Sequence, residues 1–252
     1  MNQRNNLIIP KVIGHRGVKD LSPENTINSI EKAIEIGLNW VEIDVKITKD
    51  NIPILLHDDD LDRTTSGSGL VSSCKYSEIR KLDAGKFFYH YDTDIYVPTL
   101  EEVLLLCAKK KCGINIELKP NKDFEKQNVI EVFKVTKKFE YILPIYYSSF
   151  DLETSILINK NFPNSLVGIL VDDFKHYTLE EILKLTSKYN FFSCGLNINL
   201  VQKNIIKTIK EKNLFLSVFA KKNIKYNMAS KLWNLGVDSI FSDDPTDIIK
   251  RN

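Results

Sequence analysis

Apolar and polar residues alternate along two stretches of the chain, which predicts two strands with contrasting faces. In each stretch the apolar residues fall on one face: Val41, Ile43 and Val45 in the first, and Ile114, Ile116 and Leu118 in the second. The opposite face carries Glu42, Asp44, Glu117 and Lys119. Carboxylates in strands that are otherwise apolar are costly to bury unless they are paired, hydrogen-bonded or bound to a cation.

The wider pattern predicts an α/β protein built as a (β/α)₈ TIM barrel. A strand in residues 7–13 is followed by a helix that we expect to start at Ser22-Pro23-Glu24, with Glu24 favouring the helix dipole, and to end at Gly37. From Ile114 onward, strand-like and helix-like segments alternate regularly, and the chain holds about eight such units in all. A doubly wound open sheet is the alternative, but no GxGxxG turn follows the first strand.

One segment interrupts this alternation. Residues 58–97 are too long for a simple connection and contain the turn Ser66-Gly67-Ser68-Gly69 and the aromatic residues Phe87, Phe88, Tyr89 and Tyr91. We therefore predict a small insertion at about 59–97, after the second strand and over the mouth of the barrel, within one domain spanning 1–252. A floppy surface loop is the alternative and fits this aromatic content poorly.

Composition and charge narrow the class of protein. The 252 residues include 35 basic and 33 acidic ones, so the net charge of +2 and the lack of a polybasic run give no reason to expect a nucleic-acid partner. No apolar run is long enough for a transmembrane segment, and the N-terminus lacks the pattern of a secretory signal. The four cysteines form no CxxC pair, which favours reduced thiols and a cytoplasmic location.

Candidate chemistry collects where a barrel places its active site, at the ends of strands and in the loops that follow them. His15 follows the first strand, and His57 follows the apolar run at residues 52–56. The oxygen-only ligand set of Glu42, Asp44 and Glu117 suits Mg²⁺ or Ca²⁺ rather than zinc. With no HExxH motif present, we assign both histidines to proton transfer, while Arg16 and Lys119 offer positive charge to an anionic oxygen. Such a set is suited to cleaving a phosphate ester.

These residues stand in an ordered series of short motifs that resembles the glycerophosphodiester phosphodiesterase family. The series is Gly14-His15-Arg16-Gly17, Pro23-Glu24-Asn25-Thr26, Glu42-Ile43-Asp44, His57-Asp58, Asp62-Arg63-Thr64-Thr65, Lys81-Leu82-Asp83-Ala84-Gly85, Pro98-Thr99-Leu100-Glu101-Glu102, Glu117-Leu118-Lys119, Ser149-Phe150-Asp151 and Gly236-Val237-Asp238-Ser239-Ile240. Each motif alone is weak, but the ordered combination covers nearly the whole chain and is highly specific.

The resemblance implies a barrel enzyme that hydrolyses glycerophosphodiesters, as small-molecule substrates, to glycerol 3-phosphate and an alcohol. It implies that Glu42, Asp44 and Glu117 bind a divalent metal, that His15 and His57 act as general acid and base, and that Arg16 and Lys119 hold the phosphate. Two other interpretations stay open at this point: a related barrel phospholipase or lyase that forms cyclic phosphates, and a non-catalytic module that binds phosphodiesters.

The resemblance also has a departure near the end of the chain. In many bacterial members the seventh strand ends in Trp-Thr-Val-Asn, a run that aligns with Phe219-Ala220-Lys221-Lys222 of this chain. The pocket for the glycerol or alcohol side is therefore the least well defined part of the prediction. Elsewhere, we expect Asp58 to support a histidine or the metal, and Asp243-Asp244 to be turn residues and helix caps.

Overall fold

Eight parallel strands form a closed ring at the centre of the molecule. The computed structural model describes residues 7–251. Its nine strands are β1 (Val12–Gly14), β2 (Trp40–Ile47), β3 (Pro53–Leu55), β4 (Gly113–Leu118), β5 (Ile145–Ser149), β6 (Val167–Val171), β7 (Ser193–Asn197), β8 (Phe215–Phe219) and β9 (Ser239–Ser242). The ring closes because β1 pairs in parallel with both β2 and β9. The predicted TIM barrel is confirmed.

Helices surround the ring, and several begin where the sequence supplies a capping residue. They are α1 (Ile27–Glu35), α2 (Tyr76–Ile79), α3 (Lys86–Tyr89), α4 (Leu100–Lys110), α5 (Glu125–Thr136), α6 (Leu152–Asn161), α7 (Leu179–Lys188), α8 (Lys203–Glu211), α9 (Tyr226–Leu235) and α10 (Thr246–Ile249). Thr99 and Thr178 start α4 and α7 with capping boxes. No helix in residues 7–251 combines the length and the apolar character needed to cross a membrane.

The alternation within β2 decides which residues reach the centre of the ring. Val41, Ile43 and Val45 belong to the large apolar cluster between the strands and the helices. Glu42 and Asp44 must then point inward, because successive strand residues face opposite sides. A separate cluster that includes Ile13, Trp40 and Tyr146 packs together away from that outer layer. Apolar packing therefore fills the interior at the start of β2, and carboxylates occupy the interior toward its end.

Strand β3 has a direction that the sequence pattern did not reveal. It pairs antiparallel with β2, from Val45↔Leu55 to Ile47↔Pro53, and lies outside the ring. Since β2 continues past its pairing with β4, β3 returns along this extension to the mouth of the barrel. The Leu56 amide donates to the Asp44 carbonyl at 3.2 Å, so His57 arrives beside the carboxylates.

The chain between β3 and α4 packs around an apolar cluster of its own. Ile54, Leu56, Leu61, Val71 and Ile79 are buried within it. The Leu55 amide donates to the Pro98 carbonyl at 3.0 Å, which fixes the end of this segment next to its beginning. A connection that returns in this way can present the residues after β3 at a fixed place over the mouth.

Candidate active site

Three buried carboxylates meet at the mouth of the barrel. Asp44 of β2 and Glu117 of β4 are directly paired in strand register, and Glu42 lies two residues before Asp44 on the same inward face. Their exposed fractions are 2% for Glu42, 1% for Asp44 and 6% for Glu117. One carboxylate oxygen from each lies within 4.8 Å of the others. The structure thus brings together the three residues predicted as metal ligands.

The three groups differ in how readily they hold a negative charge. Burial raises the pKa of Glu42 well above its ordinary value, and the charges of Asp44 and Glu117 raise it further. Burial likewise raises the pKa of Glu117 to about 7, with Lys119 acting in the opposite direction. Burial acts on Asp44 too, but Arg16 and Lys119 lower its pKa overall. The three carboxyl groups outnumber the two neighbouring cations, Arg16 and Lys119. Ionisation of all three is therefore unfavourable unless a further positive charge is present.

The donor set fits a hard divalent cation. All three groups offer oxygen, the ligand that Mg²⁺ and Ca²⁺ prefer. The Oε1 atom of Glu42 is buried without a hydrogen-bond partner, whereas Oε2 accepts from the Arg16 amide at 2.9 Å. A buried acceptor of this kind is costly unless something binds it. These residues can hold a metal ion.

A left-handed turn after β1 brings Arg16 back onto the carboxylates. Arg16 has a φ of 52° and is followed by Gly17 with a φ of 82°; a side chain on Gly17 would collide with Ser29. The guanidinium Nε lies 3.1 Å from Asp44 Oδ2, and Nη1 donates to Glu24 Oε1 at 2.8 Å. Arg16, predicted to hold phosphate, is thus placed at the cluster by two carboxylates.

Glu24 belongs to the site, and the prediction that it favours a helix dipole is wrong. Helix α1 begins at Ile27 with Thr26 as its N-cap, because Asn25 takes a left-handed φ of 56° that ends the preceding turn. The Asn25 side chain donates to Asp44 Oδ2 at 2.8 Å and accepts from the Asp44 amide at 3.0 Å. Glu24 accepts from both Arg16 and Arg63.

His57 is oriented by a carboxylate that directly follows it in the chain. Its Nδ1 lies 2.6 Å from Asp58 Oδ1, and Arg63 Nε donates to Asp58 Oδ2 at 2.6 Å. The prediction that Asp58 supports a histidine is confirmed. Because the Asp58 carboxylate accepts a hydrogen bond from Nδ1, the Nε2 atom of the ring is the one available for proton transfer. Burial lowers the pKa of His57, while Asp44 acts in the opposite direction.

His15 has an equivalent partner from the far end of the chain. Its Nδ1 lies 2.6 Å from Asp243 Oδ1, and its Nε2 lies 3.9 Å from Glu42 Oε2. Asp243 lies in a bend after β9, as predicted for a turn residue, but its side chain binds His15 and caps no helix. Asp244 accepts from the amide and hydroxyl of Thr246, the first residue of α10. The contact between Asp243 and His15 could have been predicted from closure of the ring, since closure places the residue after β9 beside the residue after β1.

Lys119 lies between the carboxylates and an aromatic wall. Its Nζ is 2.7 Å from Glu117 Oε1, 3.8 Å from Asp44 Oδ1 and 5.3 Å from the centre of the Phe150 ring. Phe150 in turn meets Phe219 edge to face, with 5.2 Å between ring centres. The predicted phosphate-holding lysine therefore joins the polar and the aromatic sides of the mouth.

The segment after β8 shows how this chain departs from the Trp-Thr-Val-Asn pattern. Lys221 and Lys222 are exposed. The next residue, Asn223, accepts through Oδ1 from the Ser242 hydroxyl and from the amides of Asp243 and Asp244. An asparagine is thus present one position later, where it fixes the loop that carries Asp243.

Comparison with known proteins agrees with this geometry. The model of the glycerophosphoryl diester phosphodiesterase family matches residues 15–247. A glycerophosphodiester phosphodiesterase of Bacillus altitudinis is 30% identical over 251 residues, covering 95% of this chain and 97% of that protein. One from Caldanaerobacter subterraneus subsp. tengcongensis is 30% identical over 240 residues, covering 94% and 96%.

A solved structure extends the likeness to three dimensions. The phosphodiesterase of Oleispira antarctica, in complex with the product sn-glycerol-3-phosphate, superposes on this chain with a TM-score of 0.87. The two chains are 30% identical, and the match covers 97% of this chain and 98% of that one. The similarity therefore includes the barrel and the segments at its mouth.

Proposed function

Because the chain belongs to the glycerophosphoryl diester phosphodiesterase family, we propose that it hydrolyses glycerophosphodiesters to glycerol 3-phosphate and an alcohol. The observation that carries this proposal is the arrangement at the mouth, where a buried carboxylate cluster stands beside two histidines, each held by its own carboxylate. The product bound to the Oleispira antarctica enzyme supports the substrate class. We infer that residues 1–252 act as one catalytic domain.

In the proposed reaction, Glu42, Asp44 and Glu117 hold Mg²⁺ or Ca²⁺. When bound, such a cation polarises the phosphoryl oxygen of the substrate and compensates its developing charge. Arg16 and Lys119 add positive charge at the edge of the cluster and orient the phosphate there. Phe150 and Phe219 offer an apolar wall to the part of the substrate beyond the phosphate.

The two histidines carry the protons of the reaction. One Nε2 takes a proton from the attacking oxygen, and the other Nε2 gives a proton to the oxygen of the leaving alcohol. Both Nδ1 atoms are engaged by carboxylates, so neither ring can turn its second nitrogen toward the substrate without breaking a 2.6 Å contact. Neither histidine belongs to the group of side chains whose ligand atoms lie within 4.8 Å of one another, so we assign the pair acid and base roles rather than metal binding.

The direct test measures glycerol 3-phosphate released from glycerophosphocholine and glycerophosphoethanolamine in the presence of Mg²⁺, Ca²⁺ or Mn²⁺. We expect release that EDTA abolishes and that added metal restores. Turnover that persists in EDTA would contradict the metal requirement. Phosphorus NMR identifies the product, and a cyclic phosphate as the final product would replace the hydrolase proposal with a lyase reaction.

Metal binding is expected to stabilise the protein more strongly at pH 8 than at pH 5.5. Burial raises the pKa values of Glu42 and Glu117 in the metal-free protein, so their contribution to folding is greatest below about 4.3 and is lost as the pH rises toward about 7 and beyond. A cation reverses this loss because it binds the ionised carboxylates. Thermal denaturation with and without Mg²⁺ or Ca²⁺ measures the effect; a stabilisation that shrinks between pH 5.5 and 8 would contradict the assigned ligands.

A further inference from the structure

We propose that Asp243 is a positioning residue for His15, which fixes the ring proton on Nδ1 and so presents Nε2 to the reacting phosphate. The proposal rests on the proposed phosphodiesterase function. It adds to that function a residue 228 positions away in the chain from the histidine it orients. Lys19 and Asn223 complete the arrangement by fixing Asp243 itself.

The contact with His15 is short and directional. Asp243 Oδ1 accepts from His15 Nδ1 at 2.6 Å, and the other ring nitrogen faces Glu42 Oε2 at 3.9 Å. The His15 amide also donates to the Ser242 carbonyl at 2.9 Å, so the two chain segments are bonded through backbone as well as side chain. A carboxylate can only accept at Nδ1, and this fixes which nitrogen carries the proton.

The carboxylate, the amide and the carbonyl of Asp243 each have a partner. Its Oδ2 lies 3.0 Å from Lys19 Nζ, its amide donates to Asn223 Oδ1 at 3.1 Å, and its carbonyl accepts from the Asp20 amide at 3.1 Å. Only 3% of the residue is exposed. Burial opposes its charge, but the hydrogen bond to His15 and the charge of Lys19 lower the pKa of Asp243, which keeps it ionised. Its carboxylate cannot rotate freely.

Lys19 gives the arrangement a property that can be tested with an amide. Lys19 Nζ also pairs with Asp20 at 3.1 Å, but as a donor it still favours an acceptor on its side of residue 243. In Asp243→Asn we therefore expect the amide oxygen to turn toward Lys19 and the NH₂ group toward His15. His15 Nδ1 must then accept, which moves the ring proton to Nε2. The histidine stays in place with the wrong nitrogen protonated. The same aspartate-to-asparagine substitution in a serine-protease triad lowers kcat by about 10⁴-fold.

For Asp243→Asn we expect kcat for glycerophosphocholine to fall by at least about 10²-fold, with KM and the Kd for Mg²⁺ changed by less than about 3-fold. Long-range ¹H–¹⁵N spectra of the His15 ring at alkaline pH are expected to show the proton on Nδ1 in the wild type and on Nε2 in the variant. Asp244→Asn is the matched control, because an asparagine oxygen there can still accept from the Thr246 amide and the residue does not touch His15.

A second pair of variants separates positioning from simple loss of stability. Adding Lys19→Met to Asp243→Asn removes the competing donor, so the amide oxygen can return to His15 Nδ1 and kcat is expected to recover by about 10-fold or more. In a His15→Ala background, Asp243→Asn is expected to have no additional effect on kcat. An unchanged kcat or an unchanged ring proton in Asp243→Asn would overturn the proposal. The NMR measurement needs no turnover, so it remains decisive if the wild type hydrolyses no glycerophosphodiester.

Discussion

Glu42→Gln is expected to reduce turnover by about 10²–10³-fold or more while making the metal-free protein more stable at pH 8. Glu42 contributes one of three carboxylates to the cluster, and its Oε1 atom is the buried acceptor without a partner. The substitution keeps the shape of the side chain and an oxygen for the Arg16 amide. It removes a charge that the proposed metal site requires.

The stability effect has a defined direction with pH. Because the pKa of Glu42 is raised in the folded, metal-free protein, its ionisation at pH 8 opposes folding, whereas its protonated form at pH 5 does not. A neutral glutamine is therefore stabilising at pH 8 and nearly neutral at pH 5. Each kcal/mol gained corresponds to a rise in Tm of about 2–4 °C for a protein of this size.

Three measurements together test this substitution: kcat in saturating metal, the Kd for Mg²⁺ by calorimetry, and Tm at both pH values without metal. Glu35→Gln is the control, since the Glu35 side chain is 68% exposed and pairs with Lys32 on the surface of α1. Retention of wild-type metal affinity in Glu42→Gln would remove Glu42 from the ligand set. A Tm of Glu42→Gln below that of the wild type at pH 8 would show that the Glu42 charge does not destabilise the metal-free protein.

His57→Ala is expected to lower kcat by about 10²–10⁴-fold and to leave the Kd for the metal nearly unchanged. In the proposed mechanism, the imidazole supplies a proton-transfer atom and no ligand to the carboxylate cluster. Its side chain lies at the mouth, 31% exposed and outside the apolar clusters of the core, so the protein should remain folded after truncation. A lower kcat together with an unchanged Kd for the metal is the result that distinguishes a proton carrier from a metal ligand.

The control for this experiment is His176→Ala, which removes an exposed histidine that lies in the connection before α7. We expect it to behave as the wild type in kcat, KM and metal affinity. Single-turnover kinetics with glycerophosphocholine report the chemical step directly. A His57→Ala variant with kcat within about 3-fold of the wild type would exclude a role in proton transfer at the rate-limiting step.

The fold and the carboxylate cluster follow from patterns that are local in the sequence. Period-two alternation assigns Glu42 and Asp44 to one face of β2, and the same alternation assigns Glu117 to the matching face of β4. Parallel pairing of these two strands then brings Asp44 opposite Glu117. The count of strand–helix units was sufficient to predict a closed ring, because neighbouring units pack in chain order.

Other parts of the site depend on backbone conformation and on contacts between distant segments. Nothing in the pattern around Ser22-Pro23 reveals that Asn25 adopts a left-handed conformation, which delays α1 and frees Glu24 to bind two arginines. The direction of β3 depends on how far β2 extends past its pairing with β4. The alternation of apolar and polar residues contains no information on that length. Arg63 reaches the site from the insertion, whose path is set by its own small core.

The bond between His15 and Asp243 joins residues from the two ends of the barrel. During synthesis, the first of these residues leaves the ribosome long before the second has been translated. A nascent chain that has completed most of its strands therefore still lacks the group that orients one of its histidines. We infer that full activity requires the last strand to dock against the first, since only then does Asp243 reach His15.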